Sequence, residues 1–138
     1  MVQYRGKKIK LFKRDETVGE KVVQKVFIIT GATGFLGNNI IRKLNQDGES
    51  EIRALVLKDD PIKSLDDLKC KIYYGDVTKK ESLSTIFENI DGKMVFVIHC
   101  AAVVYIRSQY NSFVYNVNVN GTKNIIDKVL DINAKLVY

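Results

Sequence analysis

The stretch IITGATGFLGNNI, residues 28 to 40, places glycines at Gly31, Gly34 and Gly37, one at every third position. It follows the apolar run KVFIIT (25–30), and Leu36, Ile40, Ile41 and Leu44 continue it at helical spacing. A strand that turns directly into a helix aims the helix's free N–H groups and positive dipole end at whatever occupies the turn. Side chains at the points of closest approach would hold a pyrophosphate away. Gly31 permits the tight turn, Gly34 lets backbone and phosphate approach, and Gly37 lets the helix lie close on the sheet. No Gly-Lys-Ser/Thr follows, so a P-loop is excluded.

Outward from this turn, short β-branched runs alternate with segments of helical period. EIRALVL (51–57), CKIYY (70–74), KMVFVIHC (93–100) and AKLVY (134–138) read as four further strands. Gly48 is a plausible stop for the first helix. Thr78 and Glu81 form a capping box ahead of Leu83, Ile86, Phe87 and Ile90, which predicts a second helix. SFVYNVNVNG (112–121) reads two ways. It alternates like a strand and ends in Asn-Gly, a hairpin-turn signal, yet Val114, Val117, Gly121, Ile125 and Val129 line one helical face. Parallel neighbours need a crossover, so the expectation is a helix from about 110 to 132. Five strands separated mostly by helices predict an α/β fold with a parallel sheet and right-handed crossovers.

A chain of 138 residues makes one domain at most, with enough length to bury a core. No apolar run of about 18 residues occurs, which argues against a membrane helix. The N-terminus lacks the apolar core and cleavage site of a signal peptide, and the expected location is cytoplasmic. The net charge of +6 is concentrated in residues 1–25, where eight Lys/Arg face three acids; the remaining residues are nearly neutral. Residues 1–24 therefore read as a basic, solvated arm, and nucleic acid is not an expected partner. Cys70 and Cys100 show no metal-ligand spacing and read as small hydrophobes.

The spacing G-x-x-G-x-x-G within TGATGFLG resembles that of the extended short-chain dehydrogenase/reductases, the NAD-dependent epimerase/dehydratase group, and most of all their dihydroflavonol-reductase-like members. The likeness extends to EIRALVL, YYGDVTKKESL, VIHCAA, NVNGTKNII and KLVY, and covers residues 25 to 138. It implies a Rossmann-type doubly wound parallel sheet, here incomplete, with strand order 3-2-1-4-5. It also implies a dinucleotide bordered by Gly31, Thr33, Gly34, Phe35, Leu36 and Gly37. Asp76 and Val77 would meet the adenine, and Cys100, Ala101 and Ala102 would line the ribose and nicotinamide side. Asn118 would be the family's structural asparagine. Apart from the resemblance, Asp76 reads better as the start of a turn than as a ligand residue. His99, the only histidine, has no nucleophile placed beside it and reads as packed or cofactor-side.

The cofactor's identity turns on the end of the second strand, where NAD sites carry an acid and NADP sites a nearby Arg. Leu57 departs from both patterns. Lys58 would pair with a 2′-phosphate and Asp59 would take a ribose hydroxyl; the reading leans to NADP, with NAD retained. The family's Tyr-x-x-x-Lys pair is expected beyond Tyr138, since Tyr4 and Lys8, in the basic arm, match that spacing by coincidence. The expectation is the NAD(P)-binding portion of an oxidoreductase or epimerase, with small-molecule substrate handled elsewhere in a longer parent. The alternative is a stand-alone, non-catalytic nucleotide-binding or interaction module. An apolar surface left uncovered by an incomplete sheet predicts self-association or marginal stability.

Overall fold

The computed structural model describes residues 23–138 together with two short strands, β1 (Val2–Tyr4) and β2 (Lys7–Ile9). These two pair antiparallel, Val2 opposite Ile9. The rest of the expected basic arm, and the side chains of Tyr4 and Lys8, lie outside the described residues.

The main sheet is built from β3 (Lys25–Thr30), β4 (Glu51–Val56), β5 (Lys71–Tyr74), β6 (Met94–His99) and β7 (Lys135–Val137). Its order is β5-β4-β3-β6-β7 and every pairing is parallel. This is the expected 3-2-1-4-5 arrangement of a Rossmann-type sheet. The central strand β3 is buried on both faces because Val26 and Ile28 project to one side and Ile29 to the other. Phe27 and Phe96 stack across neighbouring strands with ring centroids 4.9 Å apart.

Helix α1 (Phe35–Asp47) packs Ile41 onto one face, with Ile29, Ala54 and Val56 of the sheet. The opposite face is covered by one long helical segment. It begins as α2 (Ser112–Tyr115), widens into a π-helical turn (Asn116–Gly121) and ends as α3 (Thr122–Asp131). Ile125 and Val129 of α3 join Val26, Ile28, Val95 and Val97 in that core. The helix expected over 110–132 therefore forms, and Asn120-Gly121 lies inside it. Asn111 supplies its N-cap, accepting from the N–H groups of Phe113 (3.0 Å) and Val114 (3.2 Å).

The helix expected after Thr78 does not form as an α-helix. Two 3₁₀ turns, Lys80–Leu83 and Thr85–Phe87, stand in its place. Thr78 donates its hydroxyl to Asp76 at 2.8 Å instead of capping. Further on, the buried Arg53 guanidinium pulls carbonyls out of any helical ladder. It donates to Ile86 O (2.7 Å), Glu88 O (2.6 Å) and Asn89 O (3.4 Å). Asn89, with φ +55°, closes the segment. The apolar positions still fulfil their packing role, since Leu83, Ile86 and Phe87 are buried.

Arg53 also bonds Glu51 at 2.9 Å, and Lys71 (3.1 Å) and Lys93 (2.9 Å) reach the same carboxylate. Burial by itself would raise the Glu51 pKa; hydrogen bonds from Lys93, Lys71 and Arg53 outweigh it and bring the group down to about 2. This ionic knot ties together the N-terminal ends of β4, β5 and β6. The opposite, C-terminal ends of the strands are thereby left to the loops that form the candidate site.

Candidate nucleotide site

The C-terminal ends of β3, β4, β5 and β6 surround a cavity of about 470 Å³. Its position is the one that open α/β sheets use for ligands, where the crossovers diverge to opposite faces. The turn after β3 forms one wall. Gly31 has φ +64°, and a Cβ there would lie 2.8 Å from Ala101 N, so the turn presses directly on the backbone after β6. Gly34 donates its N–H to Gly31 O at 3.0 Å and is the N-cap of α1, without a side-chain cap. The first-turn N–H groups of α1 are thus unblocked by any side chain.

Gly37 does something narrower than bringing the helix onto the sheet. A Cβ at Gly37 would stand 2.3 Å from Gly31 O and 2.9 Å from Gly31 C. The first turn of α1 lies on the glycine turn itself.

Of the residues expected to border a dinucleotide, Gly31, Thr33, Gly34, Asp76, Val77, Cys100, Ala101 and Ala102 line this cavity. Phe35, Leu36, Gly37 and Lys58 do not. Phe35 and Leu36 point to solvent, 90% and 60% exposed, and Gly37 is buried beneath the turn. Lys58 is exposed in the turn after β4.

The acid that does reach the cavity is Asp60, which the sequence reading passed over for Asp59. Its Oδ2 accepts from Thr33 Oγ1 (3.1 Å) and from Leu57 N–H (3.2 Å). The turn closed by Asp60 N–H donating to Leu57 O (3.1 Å) carries the carboxylate back over the strand end. No spacing rule counted from β4 would find it, because the turn sets its position. Among the described residues, Oδ1 of Asp60 receives no hydrogen bond.

Asp76 both begins a turn and borders the cavity. Its Oδ1 accepts from Thr78 N–H (2.9 Å) and Thr78 Oγ1 (2.8 Å), an Asx turn, while the residue lines the cavity. Its own N–H donates to Ser82 Oγ at 2.9 Å. Cys100 lines the far wall, and burial pushes its thiol pKa up. Asn118, in the π-helical turn, grips the chain after β6 at both ends of one residue. It accepts from Val103 N–H and donates to Val103 O, each at 2.8 Å.

Behind the cavity wall lies a second polar network. Thr30 Oγ1 accepts from the N–H groups of Cys100 and Ala101, each at 3.1 Å. The same oxygen is 2.6 Å from His99 Nδ1, and His99 Nε2 is 3.0 Å from Thr122 Oγ1. Thr122 in turn donates to Asn118 O at 2.8 Å. His99 is buried, and burial lowers its pKa, so the ring is neutral near pH 7. It is packed behind the cavity wall rather than lining it.

A parallel sheet of this order, with a glycine turn opening a helix at the strand ends, defines the dinucleotide-binding Rossmann class. Residues 28–138 match the 3-beta hydroxysteroid dehydrogenase/isomerase family, and the chain belongs to it, within the extended short-chain dehydrogenase/reductases. It is 33% identical to the sterol demethylase protein B of Methylococcus capsulatus over 101 residues, covering 73% of this chain and 29% of that protein. It is 30% identical to a vaccinia virus 3 beta-hydroxysteroid dehydrogenase/Delta 5→4-isomerase over 122 residues, covering 82% of this chain and 33% of the viral protein. Among solved structures, the Bordetella bronchiseptica enzyme WbmG in complex with NAD superposes with a TM-score of 0.68 at 22% identity. That match covers 86% of this chain and 38% of WbmG. The chain thus spans about a third of the length of the curated relatives it matches. Among the described residues, no helix is long and apolar enough to cross a membrane.

Proposed function

We propose that this chain supplies the NAD(P)-binding portion of an oxidoreductase or epimerase acting on a small-molecule hydroxyl or carbonyl substrate. The observation that carries the reading is the cavity at the strand ends, walled by the Gly31 turn, Asp60, Asp76 and Ala101. Backbone N–H groups at the start of α1 would hold the pyrophosphate, and Asp76 would accept from the adenine amine. Cys100, Ala101 and Ala102 would flank the nicotinamide side. Bound cofactor would supply hydride transfer; the residues described here bind and orient it.

The preferred cofactor in this reading is NAD. A lean to NADP rests on Lys58, which is exposed and does not line the cavity, whereas Asp60 does. A carboxylate there accepts from ribose hydroxyls and repels a 2′-phosphate. The uncovered apolar surface described below favours self-association of the chain.

Titration with NADH and NADPH, followed by nicotinamide fluorescence, tests the reading. Saturable NADH binding, weaker NADPH binding and loss of both in a Gly34→Val variant are expected. Asp60→Asn should narrow the preference about tenfold, the loss of one charged hydrogen-bonding partner. A folded chain that binds neither nucleotide overturns the proposal.

A further inference from the structure

We propose that His99 is a positioning residue for the nucleotide cavity: a neutral imidazole protonated on Nε2, which turns the Thr30 hydroxyl so that one oxygen clamps both amides of the cavity wall. The inference rests on reading that cavity as the dinucleotide site.

The proton positions follow from counting donors and acceptors. A threonine hydroxyl offers one hydrogen and two lone pairs. One lone pair of Thr30 Oγ1 takes the N–H of Ala101 and the other takes the N–H of Cys100, which is shared with the Thr30 carbonyl oxygen at 3.3 Å. The 2.6 Å contact to His99 Nδ1 must then use the hydroxyl's own hydrogen, so Nδ1 is unprotonated. A neutral ring with a bare Nδ1 carries its hydrogen on Nε2, which donates to Thr122 Oγ1. Thr122 passes its hydrogen to Asn118 O. The opposite tautomer would bring a third donor to Thr30 Oγ1, leave the Cys100 N–H to the Thr30 carbonyl alone, and deprive Asn118 O of Thr122's hydrogen.

The clamp matters because of what rests on it. The peptide linking Cys100 to Ala101 is the surface against which Gly31 packs, too close for any side chain. Displacing that peptide displaces the turn that would face the pyrophosphate. His99 therefore couples β3, the chain after β6 and the start of α3 through a single ring.

The same counting predicts acid sensitivity. Protonated His99 has a hydrogen on each nitrogen, and Thr30 cannot accept a third bond. The groups facing the ring are Thr30 from β3, Thr122 from α3, and the Tyr138 ring, stacked with centroids 5.8 Å apart after β7. Cys100 follows it in sequence, and Cys100 and Tyr138 are the titratable neighbours. Among the described residues no carboxylate or cation hydrogen-bonds to the imidazole.

The test uses the whole chain and three measurements. Nitrogen-15 NMR of the ring without nucleotide should show the Nε2–H tautomer at neutral pH; the Nδ1–H form or an imidazolium there overturns the proposal. Amide exchange at Cys100 and Ala101 is then compared in wild type, His99→Asn and His99→Leu. Asparagine keeps an acceptor near the Nδ1 position and does not titrate, so it should retain protection that leucine loses. Equal loss in both variants, with the fold intact by circular dichroism, overturns the clamp. Finally, NADH affinity should fall at least about tenfold between roughly pH 7.5 and 5 in wild type. His99→Asn should flatten that profile, and an unchanged profile in this variant overturns the role of the ring's protonation. Absence of NADH binding at every pH would refute the cofactor reading alone, because tautomer and amide exchange still decide the role of His99.

Discussion

At the scale of single residues, the glycine turn is exacting because backbone meets backbone. Position 37 allows no side chain: the nearest atom to a new Cβ is the Gly31 carbonyl oxygen, which cannot swing aside as a flexible side chain would. Gly37→Ala should therefore lower stability by about 2 kcal/mol or more, the range of overpacking in a rigid site, despite alanine's better helix propensity. Thermal and urea unfolding would check this, and an unchanged midpoint would contradict it. Glu51 makes a different demand. Its folded pKa of about 2 lies below the ordinary 4.5, so the native state favours the carboxylate. That contribution is present in full above about pH 4.5 and is lost as pH falls toward about 2, on the order of 3 kcal/mol. Stability measured against pH should show this step, and Glu51→Gln should remove it while lowering stability at neutral pH. The glycines were legible in the sequence because their spacing is a local matter. The ionic knot was not, because Lys71 and Lys93 reach Glu51 only once four parallel strands are in register.

At the scale of elements, the long segment 112–131 shows how tertiary packing chooses between two local readings. Alternation in NVNVNG (116–121) fits a strand as well as a helix. The helix prevails because Ile125 and Val129 find the core, and Gly121 lets the helix approach Val77 closely. A Cβ on Gly121 would meet Val77 Cγ2 at 2.7 Å. Gly121→Ala should cost about 1 kcal/mol, contact outweighing a propensity gain of similar size. In a Val77→Ala background the same change should become neutral or stabilising. A double-mutant cycle reads this directly, and additive effects would exclude the contact. The failed helix after Thr78 is the converse case. Its capping box and apolar stripe were sound local signals, overridden by Asp76 taking the Thr78 hydroxyl and Arg53 taking the carbonyls.

At the scale of the whole molecule, the sheet is covered on both faces but the outer surface of its long helix is not polar. Tyr115, Val119, Ile126 and Leu130 are exposed along it at helical spacing, with Leu130 72% accessible. Val137 and Tyr138 add apolar surface at the β7 edge. The chain should therefore associate with a concentration dependence visible by sedimentation. Leu130→Lys should shift it toward monomer with little change in melting temperature, because the side chain is in solvent. A monomer at every concentration would contradict this. The predicted association was legible only in outline from the sequence, which gave the apolar positions but not which of them the core would take.

The sequence alone determined the α/β class, the five parallel strands and the glycine turn, because strand period, helical period and three-residue glycine spacing are written in consecutive residues. It also pointed to eight of the residues bordering the cavity, since the strand ends and the glycine turn carry them. Only the tertiary structure decided that Asp60 rather than Lys58 reaches the cavity, that Thr78 does not cap a helix, and that His99 stands behind the wall between Thr30 and Thr122. Each of these depends on a turn's direction or on partners up to 69 residues apart, and hydrogen-bond competition between distant groups leaves no local pattern.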